Sequence, residues 1–373
     1  MKKIAFAGTF DPITNGHLWV IQEGLNIAEK VLVIIAVNSS KKSMFSDALR
    51  KTMIEESVKS IPGHENIEVI LMKNEYVSQS AIEQGCDYLI RGIRSAVDFD
   101  YETLIQKTNT DILYGAKTLF VMPPRDLESV SSSFVKSLVG PVGWHWYIKD
   151  FVSPYVYNCW IEKYLKDFCQ TLFKDEKVID FIEFIKPYYN QKERKYHDLS
   201  HIAHCMQELE WAIANHKIDI SDAKKVCLAL LGHDVIYGEK NKDKSDEELS
   251  ALLTSQWMKD NIFLSFNSDI VSSLIEKTQY LSNKKITLNN DLEKLMCSID
   301  LAILGQHKNI YENYTKTIRQ EYMQYTDEEY KAGRIAALTK LKQIPQIYQA
   351  KEFFHYEKRA KINLDWELSQ LSN

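Results

Sequence analysis

Nowhere in this chain of 373 residues is there an apolar run long enough to cross a bilayer as a helix, so no membrane-spanning segment is expected. The opening stretch from Met1 to Gly8 is too short for the apolar region of a secretory leader and lacks its cleavage signature. The expectation is therefore a cytoplasmic protein. There is no CxxC pair either: Cys86, Cys159, Cys169, Cys205, Cys227 and Cys297 are scattered, as reduced and mostly buried thiols would be. Basic charge is not in excess, since 46 Lys and Arg stand against 51 Asp and Glu for a net charge of −5. That balance gives no reason to expect a nucleic-acid partner. Internal repeats and long low-complexity linkers are absent.

The first 150 or so residues alternate short β-branched runs (4–7, 31–37, 67–72, 88–90 and 118–122) with amphipathic stretches (16–28, 46–60, 77–84 and 98–113). Strand–helix alternation with short connections predicts βαβ units around a parallel sheet, which takes ligands at the carboxyl ends of its strands. Beyond Pro154 the texture changes and helical periodicity dominates. Candidate helices lie near 155–173, 177–186, 199–215, 221–231, 246–260, 267–278, 288–303, 308–321, 327–341 and 350–371. The expected organisation is an α/β domain over 1–160 and an all-α domain over 161–373.

Four polar motifs follow successive strands of the first half. Gly8-Thr9-Phe10-Asp11-Pro12-Ile13-Thr14-Asn15-Gly16-His17 runs from the first strand into the first helix. A glycine-containing loop meeting a helix N-terminus suits an anion, and His17 falls in that helix's first turn. A plain strand–helix turn with an exposed histidine is the competing reading. Ser40-Lys41-Lys42-Ser43-Met44-Phe45 follows the second strand; by itself it also reads as a solvated basic loop. Arg91-Gly92-Ile93-Arg94 follows the fourth strand, and Ser129-Val130-Ser131-Ser132-Ser133 follows the fifth, where helix capping alone would explain the serines. No Ser, Cys or Lys stands out as a covalent nucleophile. Cations and hydrogen-bond donors at successive strand ends suit direct nucleotidyl transfer, in which catalysis is positioning and charge stabilisation.

These motifs, with Asp98-Phe99-Asp100-Tyr101-Glu102, resemble bacterial phosphopantetheine adenylyltransferase of the T/HxGH nucleotidyltransferase superfamily over roughly residues 1–160. The resemblance implies a Rossmann-like fold that joins AMP from ATP to 4′-phosphopantetheine, with dephospho-coenzyme A and pyrophosphate as products. It implies Thr9, His17, Lys41 and Arg91 as the catalytic group. ATP would be held by Thr9, Phe10, His17, Gly92, Ile93, Arg94, Glu102, Ser129, Val130, Ser131, Ser132 and Ser133. The acceptor would meet Thr9, Lys41, Val77 and Arg91. Mg2+ would accompany ATP, coenzyme A species would be the partners, and a homo-oligomer, typically a hexamer, would be the assembly. Nicotinamide mononucleotide remains the alternative acceptor.

In the second half, His197 and His201 are four apart, an apolar run ends in His233-Asp234, and Asp300 sits inside another apolar run. Two imidazoles and two carboxylates suit a divalent ion such as Mn2+, Fe2+, Co2+, Ni2+ or Mg2+. A bundle with hydrogen-bonded polar core residues is the competing reading. The order H…HD…D is similar to the HD superfamily of metal-dependent phosphohydrolases. Arg194-Lys195-Tyr196-His197, Asp246-Glu247-Glu248-Leu249-Ser250-Ala251, Asp300-Leu301-Ala302-Ile303-Leu304-Gly305, Ile318-Arg319-Gln320-Glu321-Tyr322 and Tyr330-Lys331-Ala332-Gly333-Arg334 narrow the likeness to one bacterial branch. The likeness implies His201, His233, Asp234 and Asp300 as metal ligands, with His197 and Glu247 around them. Tyr280 stands where that branch leads one to expect a further histidine. A non-catalytic module sensing a nucleotide or coenzyme A is the alternative for this half.

Overall fold

The structure, a computed structural model, describes residues 1–37, 42–112, 114–238, 243–264, 267–281 and 287–372. It divides into two compact units, Met1–Trp160 and Ile161–Asn373.

The first unit is built on five parallel strands: β1 (Lys3–Gly8), β2 (Lys30–Val37), β3 (Ile67–Lys73), β4 (Tyr88–Gly92) and β5 (Lys117–Val121). Their order across the sheet is β3-β2-β1-β4-β5. The run Val31–Ile35 is fully buried, as expected of a central parallel strand covered on both faces. Between the strands lie α1 (Asn15–Ile27), α2 (Asp47–Val58), α3 (Val77–Glu83) and α4 (Ala96–Lys107). Serines cap three helices of this unit: Ser46 Oγ accepts from the Leu49 amide, Ser95 Oγ from Asp98 and Ser131 Oγ from Phe134. Strand order reverses between β1 and β4, so the connections leave in opposite directions there and open a crevice at the carboxyl ends of those strands. Two short helices, α5 (Ser132–Ser137) and α6 (Trp144–Ile148), follow β5; neither is long enough to show periodicity in the sequence.

The second unit is helical among its described residues. After α7 (Pro154–Phe173), which starts in the first unit, come α8 (Lys177–Tyr189), α9 (Leu199–His216), α10 (Ile220–Gly232), α11 (Asp246–Asp260) and α12 (Ser268–Lys277). Then follow α13 (Asp291–Asp300), α14 (Lys308–Glu321), α15 (Asp327–Gln343) and α16 (Glu357–Ser372). The centre is α9 and α10, whose stretches from His201 to Leu209 and from Val226 to Leu231 are buried on every face. The helix expected over 288–303 is shorter. Asn290 caps it by accepting from the Glu293 amide, and beyond Asp300 the backbone tightens into a 3-10 turn, Leu301–Gly305. That change of winding leaves Asp300 at a helix end rather than in mid-helix.

Candidate functional site

The crevice of the first unit is a cavity of about 370 Å3. Its walls come from the end of β1 and the loop after it (Phe6 to Phe10), from Gly16, His17 and Val20 of α1, from Arg91, Gly92 and Arg94, from Glu102 of α4, and from Val130 to Ser133. Thr9, His17 and Arg91, far apart in the chain, thus share one space. Lys41 and Ser40 lie outside the described residues. Ile93 is buried, Ser129 is exposed, and neither lines the cavity. Val77 is half-buried and packs on the core around Ala81 and Leu89, also away from it.

His17 occupies the third position of α1, where a glutamate would complete a capping box. Its Nδ1 accepts the Thr14 backbone N–H at 3.0 Å, and the Thr14 hydroxyl lies 2.8 Å from the same nitrogen. A backbone amide can only donate, so in the neutral ring the proton sits on Nε2. Burial, with the charges of Arg94 and Arg91 nearby, holds the His17 pKa down to about 4. The ring therefore enters the cavity neutral, as an N–H donor. Edge contacts with Phe10 at 5.2 Å fix its plane.

Arg91 is gripped bidentately by Glu102, with Nε and Nη2 each 2.9 Å from a carboxylate oxygen, and Nη1 donates to the Ala7 carbonyl at 2.6 Å. Glu102 therefore aims Arg91 across the cavity. The Arg94 Nε donates to Asp98 at 2.9 Å. Ser132 Oγ donates to the Pro12 carbonyl at 2.7 Å, tying the serine loop to the loop after β1. Gly16 makes room for that loop: a Cβ there would lie 2.5 Å from the Val130 carbonyl oxygen.

Two contributors were invisible in the pattern. Arg50 is buried, donates to the Thr9 carbonyl and pairs with Asp47 at 2.6 Å, so it holds the loop from beneath. Asp11 is buried and accepts from the amides of Met44 (2.9 Å) and Phe45 (3.0 Å) and from Lys136 (3.2 Å). It thereby fixes the chain that leaves the basic motif.

In the second unit His201, His233, Asp234 and Asp300 converge. The two Nε2 atoms are 3.3 Å apart; Asp300 Oδ1 lies 3.3 Å from each, and Asp234 Oδ2 lies 3.1 Å from His233 and 3.6 Å from His201. His233 Nδ1 donates to the Leu230 carbonyl at 2.8 Å, which leaves Nε2 facing the others; burial opposes protonation, but Asp234 and Asp300 raise the His233 pKa, so Nε2 holds a proton that a metal ion would displace. His201, His233 and Asp300 each bring one ligand atom to a common space, with Asp234 Oδ2 beside them and the outer ring nitrogen of one imidazole spent on a carbonyl, a set that fits a divalent ion. Burial opposes ionisation of Asp234, yet His233 foremost, with His197 and His201, pulls it down to about 2. Asp300 is held below the usual carboxylate range against burial by His233 and His201.

The turn before α9 is held from two sides. Glu321 Oε2 accepts the backbone amides of Lys195, Tyr196 and His197 at 2.9 to 3.0 Å, and Oε1 takes His197 Nδ1. Arg194, buried beneath, donates to the carbonyls of His197 at 3.2 Å, Asp234, and Val235 at 2.8 Å. His197 itself stacks on Tyr237 at 4.3 Å and stands 5.7 Å from the His201 ring, beside the four rather than among them. Glu247 is in the first turn of α11, and among the described residues no hydrogen bond or ion pair joins it to the cluster. The Tyr280 hydroxyl donates to the Ile347 carbonyl at 3.2 Å.

Against known proteins, residues 5–138 match the Cytidylyltransferase-like family model. The chain is 36% identical over 164 residues to the phosphopantetheine adenylyltransferase of Chromobacterium violaceum, covering 98% of that protein and 44% of this one. It is 36% identical over 157 residues to the same enzyme of Neisseria meningitidis, covering 91% of that protein and 42% of this one. Among solved structures, Plasmodium falciparum nicotinic acid mononucleotide adenylyltransferase complexed with NaAD aligns at 18% identity with a TM-score of 0.33, over 44% of this chain and 96% of that one.

Two outcomes follow for the first cavity. In a histidine NMR titration, the His17 resonance is expected to stay unprotonated through pH 6–8 and move only near its pKa of about 4. A titration near 6.5 would contradict the capping geometry. Because the folded pKa lies below the unfolded one, His17 favours folding above about pH 6.5, and that contribution fades as pH falls toward 4. Gly16→Ala should push the serine loop off α1, read as faster amide exchange at Ser131 to Ser133, with a small change in melting temperature.

Proposed function

Because the chain belongs, through its first 160 or so residues, to the phosphopantetheine adenylyltransferase family, we propose that its first unit joins the AMP of ATP to 4′-phosphopantetheine, giving dephospho-coenzyme A and pyrophosphate. The observation that carries this is the single cavity shared by Thr9, His17, Arg91, Arg94 and the serine loop. The acceptor's phosphate oxygen forms a bond to the α-phosphorus of ATP as the bond to the β-phosphate oxygen breaks, and pyrophosphate leaves. Both the attacking and departing groups are already anionic, so no general base is required. What the transition state needs is donors aimed at the charge building on the α-phosphate. His17 supplies Nε2–H, positioned before substrate arrives by the bond from Thr14. Arg91, aimed by Glu102, and Arg94 spread positive charge along the triphosphate. The amide end of the serine loop closes the far wall. Lys41, by the family likeness, takes the attacking phosphate. Mg2+ accompanying ATP would supply neutralisation of phosphate charge.

For the second unit we propose metal-dependent hydrolysis of a phosphate ester. The support is the grouping of His201, His233 and Asp300, with Asp234 beside them, which would hold one divalent ion. Such an ion supplies a water of lowered pKa and polarises phosphate. The chain's part is to keep His233 in the Nδ1–H form through Leu230 and to hold Asp234 ionised.

His17→Ala should cut adenylyl transfer, read as pyrophosphate release, by about 100- to 1,000-fold, the scale of losing one preorganised donor. An acceptor panel should release pyrophosphate with 4′-phosphopantetheine and not with nicotinamide mononucleotide; the reverse would reassign the acceptor. His233→Ala should strip the divalent ion found by elemental analysis and abolish ester hydrolysis while leaving adenylyl transfer intact. An ion-free wild type with no turnover of nucleotides or pyrophosphate would instead make this unit a sensing module.

A further inference from the structure

Beside the four-residue cluster lies a second cavity, of about 450 Å3, that no step so far uses. Its walls are Tyr314, Tyr322, Tyr325, Tyr330 and Arg334, with His197 at one end. It adjoins the cluster along two lines of contact. His197 is one, with its ring 5.7 Å from that of His201. Tyr196 is the other, its ring 4.9 Å from His201 and 4.7 Å from Tyr314. We propose that this cavity seats the aromatic group of a phosphate monoester whose phosphate lies at the cluster. The proposal rests on the hydrolase reading and adds the class of ester.

Three features argue for an aromatic occupant. Tyrosine rings offer flat faces for stacking and hydroxyls at their rims, which suits a ring better than an alkyl chain. The charged wall residues are already engaged. Arg334 is bound bidentately by Glu367, at 2.7 and 3.1 Å, and lies over the Tyr314 ring, while Glu329 accepts from the Thr326 amide that starts α15. The cavity therefore offers little to a polyphosphate or an acidic peptide. Finally, Gly333 sits in the interior of α15 on the cavity wall, and a Cβ there would meet nothing within 4 Å. Glycine is a poor helix former, and no packing in the protein requires it at this position. Close approach of a ligand to the helix backbone would. In the reaction a water oxygen bonds to phosphorus and the ester P–O bond breaks. One proton of the water passes to the departing alcohol and the other stays with phosphate or solvent.

The test uses the full chain with its divalent ion. Phenyl phosphate and glycerol phosphate are the esters, and phenylphosphonate, which cannot be hydrolysed, is the binding probe in calorimetry. Phenyl phosphate should be preferred. Tyr330→Ala should raise its KM about tenfold, the order of one lost stack, with kcat within about twofold and glycerol phosphate unchanged. Gly333→Leu should keep or raise the melting temperature while weakening phenylphosphonate about tenfold or more; Gly333→Ala should lie between. Equal effects on both esters, or wild-type phenylphosphonate binding by Gly333→Leu, would overturn the proposal. Should no ester be hydrolysed with any divalent ion, the hydrolase reading fails, and phenylphosphonate binding with its loss in Gly333→Leu still decides the cavity on its own.

Discussion

A single backbone amide, that of Thr14, decides what the first cavity can do. By donating to His17 Nδ1 it starts α1 and fixes the imidazole's tautomer in one contact. Burial and two arginines then keep the ring neutral. A neutral imidazole cannot compete with the arginines as a cation, but it is a directional donor that needs no reorganisation when charge appears on a phosphate. The surrounding contacts serve this placement. Arg50 supports the Thr9 carbonyl, Glu102 orients Arg91, and Ser132 ties the serine loop to Pro12. The sheet supplies only the crevice at its reversal point, and side chains from four separate segments make it specific.

The second unit solves a different problem. His201, His233, Asp234 and Asp300 come from three places in the chain: the first turn of α9, the residues that close α10, and the end of α13. Like-sign groups held this close would repel unless alternated, and here two imidazoles sit between two carboxylates. Arg194 and Glu321 act on the backbone rather than on the donors themselves. One ties together carbonyls of residues 197, 234 and 235, the other gathers three successive amides. Main-chain position is thereby specified where main-chain error would be felt most.

Much of this was readable from residue order. The strands of the first unit announced themselves because a doubly covered parallel sheet demands unbroken apolar runs rich in β-branched residues, as in residues 31–35. The convergence of Thr9, His17 and Arg91 followed from their positions at strand ends. So did the candidate donors of the second unit, since a histidine and an acid closing an apolar helix are costly unless used. What stayed hidden were contacts whose partners lie far away in the chain. Arg50 looked like one more charge on an amphipathic helix, and its burial under Thr9 is a tertiary fact. Glu102 lines the cavity, and that its carboxylate also grips Arg91 is a contact that spacing does not show. The break after Asp300 was missed because a 3-10 turn keeps the apolar spacing of a helix over five residues.

The grip of Glu321 on residues 195–197 has a consequence for dissection of the molecule. His201, His233, Asp234 and Asp300 all precede α14, and a fragment ending soon after Asp300 would carry every one of them. It would nonetheless lose the carboxylate that shapes the turn leading into α9, some 120 residues upstream. The minimal folding piece is therefore longer than the minimal chemical one, and the final helices belong to the centre as structural parts rather than as an appendage.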